Sequence, residues 1–463
     1  MSRLRRWDIM TRTSNLIRSL LFVLATLIAL VLIAFIVWRV NLAHEVNAKL
    51  AAIRAAGLPT NGKELNDYYP AVPDSENAAL VMSQAFALMR NFPDDRSNEV
   101  DQIQYRPRGQ LLTDRQKGLL AGYVEMNSNA LAKVNEAVLL PKCRYPIAFA
   151  VGFDTPLPHL EKIQDLAFLF KNESMLADES SNPAAADASI ISIVGMARTL
   201  EAEPVVLSQL VRFRLINIAT ATLESRLNAG KLTEGELTNF AATFVDRENI
   251  NFVKRALIGE RAAVIPMFSL SFRRFIQLAS LDVPLDGPPA SEHQSLFFRM
   301  TGYFQRELSF YLDVMATNIS IADLSPPQNI EVAAKASETT FERAIHSSYR
   351  LSTVILPPVT ALVRRETECS AFFRISAAAI AVERIRLAHG ELPEKLDELV
   401  PEFLPAVPAD PFDGRPLRYR RLAKGYVIYS VGDDGHDDGG REPPRDLKSN
   451  VKPGYDITFT VER

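Results

Sequence analysis

SLLFVLATLIALVLIAFIVW, Ser19 to Trp38, runs for twenty residues without a charge or a proline. At a rise of ~1.5 Å per residue it makes a helix of about 30 Å, the thickness of the hydrocarbon core of a bilayer. Arg3, Arg5, Arg6, Arg12 and Arg18 precede it against a single Asp8. By the positive-inside rule these arginines hold residues 1–18 in the cytoplasm and place everything after Trp38 across the membrane. A cleaved secretory leader is the rival reading, but its apolar core is shorter and ends in a small-x-small site. Here the apolar run passes straight into Trp38-Arg39-Val40-Asn41, so an uncleaved signal anchor is the better account. Arg5-Arg6 is a poor twin-arginine signal, because Leu4 and Trp7-Asp8 frame it wrongly.

The 463 residues are too many for one ordinary core, which predicts two domains beyond the anchor. A hydrophobic share of 47% with 23% charged residues is that of a folded chain. Setting aside the five arginines and one aspartate of the stub leaves 47 basic and 54 acidic residues, a net of −7, which argues against a nucleic-acid partner. Cys143 and Cys369 are too few for a thiolate zinc cage or a disulfide framework; an oxidising compartment permits a single bridge between them, but two unpaired buried thiols are expected.

Past Trp38 no breaker interrupts the chain before Gly57-Leu58-Pro59, so the membrane helix should continue outward and carry the folded part off the lipid surface. Asp74 reads as the N-cap of a helix over Asn77–Met89, and Thr113-Asp114-Arg115-Gln116 as a capping box for a helix through about Leu140. From Ala184 to Gly230 two helices should meet at Glu203-Pro204, since proline disfavours helix at the residue before it. Thr233-Glu234-Gly235-Glu236 opens a run to about Ile258, followed by a second run over Glu260–Leu278. Further helices are expected over Gln294–Ile321, from Ser325-Pro326-Pro327-Gln328 onward, and over Phe341–Ile355. Positions 39–365 therefore read as an extracytoplasmic array of amphipathic helices.

At Glu366 the character changes. Phe372, Ile375, Ala379, Val382 and Ile385 line one face of a helix ending at Gly390, and a short acidic helix follows over Glu394–Val400. After the prolines at 401, 405, 408 and 411 the period switches from 3.6 to 2. Strands are predicted over Leu417–Leu422 and Tyr426–Val431, with a third holding Ile457, Phe459 and Val461. The fold class is mainly α, with a transmembrane helix at 19–38, a helical middle domain at 39–365 and a small α+β module at 366–463. That module should fold alone as a fragment from about Arg364 to Arg463.

Within it, the run His389-Gly390-Glu391-Leu392-Pro393, then Pro408-Ala409-Asp410-Pro411-Phe412-Asp413-Gly414, then Tyr426 to Gly435 resembles the soluble core of the G-type major pseudopilin of bacterial type II secretion. The resemblance covers about the last hundred residues and implies a helix over a three-stranded sheet with a calcium-binding loop. Its calcium ligands map to the carbonyl of Val431, to Asp434 and to Asp456, with Asp437 or Asp438 as additions. This chain has no glycine before Gly57, so it lacks the site at which a prepilin is processed. On spacing alone Asp433-Asp434-Gly435-His436-Asp437-Asp438-Gly439-Gly440 also reads as an acidic solvated turn, and no EF-hand frame fits it. Arg441, Arg445, Lys448 and Lys452 bring positive charge near it.

No His-Glu-x-x-His pair, Gly-x-Ser-x-Gly elbow, Walker loop or Gly-x-Gly-x-x-Gly occurs. His346 with Glu342 one turn earlier is a conceivable base and orienter, against a plain surface histidine. Glu260-Arg261 and Arg364-Arg365-Glu366 read as ion pairs between helices. Two functions stay open. One is a structural or interaction protein of the cell envelope, anchored in the inner membrane, facing the periplasm and linked to secretion or other envelope proteins. The other is a hydrolase with its site in the middle domain, which a deep pocket with converging titratable side chains would favour.

Overall fold

The chain is described by a computed structural model over residues 2–91, 103, 108–180, 182–230, 232–245, 252–279, 298–347, 349–443 and 454–463, with side chains from residue 18 onward. It is mainly helical. Helix α1 (Ser2–Ala55) contains the apolar run, whose residues stand exposed, and it ends at Gly57 with φ +72°. Its last third is not a free stalk. There Leu42 and Val46 are buried.

After α2 (Gly62–Tyr68), α3 (Ala78–Leu88) is capped by Asn77, whose Oδ1 accepts from the Ala79 amide at 3.1 Å. The expected cap, Asp74, opens a separate 3-10 turn instead. The Thr113 capping box forms as predicted, but its helix breaks at Asn127 into α4 (Asp114–Met126) and α5 (Ser128–Ala137). The fully buried Asn127 explains the break. It accepts from the Arg90 amide at 2.7 Å and donates to the carbonyls of Arg90 and Tyr123, so it is spent on a tertiary bond.

Helices α6 (His159–Glu179), α7 (Pro183–Thr199) and α8 (Val206–Ala229) pack on one another and form the centre of the body. The predicted corner lies between α7 and α8, where Gln209 Nε2 donates to the carbonyls of Leu200 and Glu203 at 2.9 and 2.7 Å. α8 buries side chains on nearly every side, from Val211 and Leu215 to Ile218, Leu223 and Leu227, because α6, α7 and later elements surround it.

Helix α9 (Glu234–Val245) starts at the Thr233 box as predicted, and α10 (Phe252–Val264) follows. The predicted break between Ile258 and Glu260 does not occur, and both lie inside α10. A 3-10 turn and α11 (Phe272–Leu278) complete that stretch. Of the predicted Gln294–Ile321 helix, residues 294–297 lie outside the described set. Gly302 at φ +69° interrupts the rest before α12 (Tyr303–Ile321). The helix read around His346 is also two, α13 (Gln328–Ser347) and α14 (Arg350–Ile355). The α14 start is held from outside: buried Glu307 on α12 accepts from the amides of Arg350 and Ser352 at 2.9 and 3.0 Å.

Helix α15 (Val359–His389) runs unbroken through position 366 and ends at Gly390, where φ is +81°. The expected acidic helix is a single 3-10 turn, Leu396–Leu399. Strands β1 (Arg418–Leu422), β2 (Gly425–Ser430) and β3 (Ile457–Glu462) form an antiparallel sheet in that order, as the period of two predicts. α15 packs on β2 and β3 with one face and on α8, α9, α10 and α13 with others. β3 is also tied to α8, since Asn228 donates to the Thr460 carbonyl and accepts from the Glu462 amide, both at 2.8 Å. One hydrophobic core thus spans position 366, joining Leu215 and Leu223 to Ile375, Val382, Tyr426 and Phe459.

Candidate functional site

The acidic loop follows β2. Buried Asp410 sets its start by accepting from the Ser430 hydroxyl at 2.7 Å and the Val431 amide at 2.9 Å, while Arg418 neutralises it at 2.5 Å. Beyond that point the predicted ligands bond loop amides. Asp434 accepts from His436 and Gly454, each at 3.0 Å, which ties the two sides of the loop together. Asp437 accepts from Gly439 at 2.9 Å, and Asp456 from Gly440 at 2.7 Å and Asp438 at 3.4 Å. Asp456 is buried, and that burial raises its pKa, with the charge of Asp437 adding to it. Asp438 pairs with His436 at 3.5 Å through one oxygen, while its buried Oδ2 has no hydrogen-bond partner among the described residues. The fold therefore gathers Asp434, Asp437, Asp438 and Asp456 around one loop. Among the described residues no three such side chains converge tightly enough to hold an ion by themselves. Val431 is buried and contributes its amide to Asp410. A hard cation still suits the donors, because the orphaned Asp438 oxygen and the spare lone pairs of the amide-bonded carboxylates are oxygens of the type calcium takes. Arg441 lies over the Tyr455 ring at 5.0 Å, and Arg445, Lys448 and Lys452 lie outside the described residues.

Two clefts open along the exposed side of α8 and share Leu210. The first, about 370 Å³, is walled by Leu65, Phe149, Phe153, Leu157 and Leu207. Gly259 and Glu260 of α10 form its floor. Gly259 presses against the Pro204 carbonyl and leaves no room for a side chain. Glu260 beside it faces an apolar space, and burial pushes its carboxyl up to about 7. It forms no ion pair with Arg261, because neighbours on a helix point about 100° apart. Arg261 is buried near Tyr311, and its Nε and Nη2 and the Tyr311 hydroxyl have no hydrogen-bond partner among the described residues. The expected ion pairing fails for Glu366 too. Its Oε1 accepts from the amides of Phe252 and Val253 at 2.9 and 3.3 Å and caps α10. Arg364 does pair outward, with Asp433 at 2.7 Å, and Arg365 with Glu368 at 2.6 Å on the same helix.

The second cleft, about 450 Å³, carries Lys171, Arg214 and Arg365 against Glu368, with Phe168 and Phe372 as apolar walls. The Arg214 guanidinium lies over the Phe168 ring at 5.2 Å. Together the clefts form a trough whose one end is apolar with a single carboxyl and whose other end is cationic. Cys369 lies under the cationic end as a buried, unpaired thiol, and its burial raises its pKa.

Behind the wall formed by Leu157 and Pro204 lies a pair that the sequence reading missed. His159 Nε2 meets both oxygens of buried Glu203, at 2.9 and 3.2 Å, and its ring stacks on Tyr145 at 4.4 Å. The Tyr145 hydroxyl donates to Thr199 at 3.1 Å. Cys143 lies beside this cluster, unpaired, with its thiol pushed up to about 12 by burial and then by the Glu203 charge. His346, the histidine the sequence singled out, bonds the backbone carbonyl of Glu342 at 2.8 Å, not its carboxylate, and is exposed. The usable signal for His159 was its place at the start of a helix whose neighbour is followed by the Glu203-Pro204 corner.

The chain matches no protein-family model, no curated protein and no solved structure.

Proposed function

We propose that this is a single-span membrane protein of the bacterial cell envelope, with its N-terminus in the cytoplasm and its folded body in the periplasm, acting as a structural or interaction protein linked to secretion. The observation that carries this reading is the joint between α1 and α12. α1 is long and apolar enough to span a bilayer between Arg18 and Trp38, and the same helix then becomes part of the body's wall. Lys49 bridges to Asp313 at 2.7 Å, and Glu45 accepts from the Ser309 hydroxyl at 2.6 Å. Such a joint suits a protein that must present its surface in a set attitude. The trough on α8 is the surface proposed to meet a partner, since Leu207 and Leu210 are exposed at 53% and 37% beside the arginines. The test is a photocrosslinking residue at Leu210 in native membranes. A discrete adduct that Arg214→Glu abolishes supports the reading, and no adduct at any trough position refutes it.

The pseudopilin likeness extends this reading to calcium. Asp434, Asp438 and Asp456, with the Val431 carbonyl and Asp437 as further oxygens, would hold the ion, which supplies charge to knit the loop to β3. A second reading has its own support. Glu260, poised near neutrality in an apolar cleft, has the character of a general acid or base for a hydrolase. Loss of a hydrolytic activity in Glu260→Gln with the fold intact would establish it.

A further inference from the structure

We infer that the folded body lies directly on the bilayer through a basic and apolar patch that binds anionic phospholipid headgroups. The inference rests on the reading of α1 as a membrane span. Arg39 is the first charged residue after the apolar run, so it stands at the hydrocarbon boundary. The headgroup layer beyond is ~5–8 Å deep on each side. Arg39 donates to the side chain of Gln305 and, at 3.4 Å, to the Arg299 carbonyl. Going outward along α1, its partners advance in step: Arg39 meets Gln305, Glu45 meets Ser309, and Lys49 meets Asp313. The two helices thus run side by side in the same direction, and the start of α12 is its membrane end.

What stands at that level is suited to lipid. Met300 is 64% exposed and Val40 61%, which extends the apolar surface past the span. Phe298 stacks on Phe272 at 5.2 Å, and Arg299 donates to the Ser269 carbonyl at 3.4 Å, so α11 is drawn to the same height. It brings Arg273 and Arg274, both exposed. Of the acidic side chains among the described residues, Asp154 approaches Arg274 at 3.6 Å, while Glu45 and Asp313 lie farther out along the joint. Four arginines flanking exposed Met300, at headgroup depth, match an anionic lipid surface in both charge and polarity.

The test uses the full chain in vesicles of phosphatidylethanolamine and phosphatidylglycerol, with some acyl chains brominated to quench tryptophan. Met300→Trp is read with both native tryptophans, Trp7 and Trp38, replaced by Phe. Ala52→Trp, ~20 Å farther along α1, is the outer control, and Trp38 alone reports on the span. The expected result is at least twofold quenching and a blue shift at position 300, quenching at Trp38, and none at position 52. Arg273→Glu with Arg274→Glu should cut the quenching at position 300 severalfold, and pure phosphatidylcholine vesicles should do the same. Trp38 quenched while position 300 stays solvent-like overturns this inference and leaves the span standing. No quenching at either overturns both. Equal quenching at position 300 in anionic and neutral vesicles overturns the headgroup assignment.

Discussion

Replacing Glu366 by glutamine should make the protein more stable at alkaline pH and leave it nearly unchanged in acid. Glu366 is 8% exposed on α15, and its Oε1 caps α10 through two backbone amides. Burial outweighs those bonds and pushes its carboxyl from 4.5 up to about 7. The folded chain then keeps a proton up to about pH 7 that the unfolded chain releases near 4.5. Fewer protons on the unfolded state mean that stability falls as pH rises across that window and is level beyond it. At about 1.4 kcal/mol per pH unit, the ionised group costs the fold on the order of 3 kcal/mol above pH 7. Glutamine keeps the accepting oxygen and removes the charge, but it brings an amide donor with no acceptor in place, worth ~1–3 kcal/mol against it. The net expectation is a gain of up to about 2 kcal/mol over wild type at pH 8.5 and a small loss or none at pH 5. Equilibrium unfolding of both chains in detergent across that range measures the difference, and the subtraction cancels every other titrating group. A difference that does not change with pH, or a variant weaker at pH 8.5, refutes the reasoning.

Calcium should raise the thermal midpoint of the full chain by binding the folded state, about 2.7 kcal/mol at a hundredfold excess over Kd. Melts with calcium and with chelator, repeated on Asp438→Ala and Asp434→Ala, check this, and identical wild-type midpoints leave the loop a turn held by its own amides. Reporter fusions at Met10 and Arg463 should register opposite compartments, and agreement between them would overturn the topology. Gly259→Ala should lower stability by ~1–3 kcal/mol, because the new methyl lands on the Pro204 carbonyl, with denaturant midpoints as the measure. A fragment from Arg364 to Arg463, expected from sequence to fold alone, should show no cooperative transition, since Phe373, Ser376 and Ile380 of α15 are buried in a core shared with the rest of the chain.

Features that depend on neighbours in sequence were legible. The Thr113 and Thr233 boxes, the Pro204 corner, the Gly390 terminus and the three strands all form where period and capping chemistry place them. The errors share one cause. Helix starts at Phe252 and Arg350 are set by carboxylates from Glu366 and Glu307, and the break at Asn127 by Arg90, 37 residues earlier. A side chain arriving from another helix leaves no periodic trace. The same holds for function. His159 and Glu203 are 44 residues apart, and the trough exists only because α8 leaves one flank open between Glu260 and Arg365. The acidic loop was visible as a density of aspartates, but its wiring to Gly454 and Asp456 required the turn back into β3.

A body tethered by a loose linker sweeps a hemisphere and meets its targets at any angle, at a concentration set by the length of the leash. The Arg39, Glu45 and Lys49 contacts remove that leash. On the proposed reading of α1 as a membrane span, what remains is spinning about the membrane normal and drifting within the plane, so every copy carries the α8 flank at one height. Another membrane protein built to that height would need only a lateral collision, and a soluble one would have to come down to it.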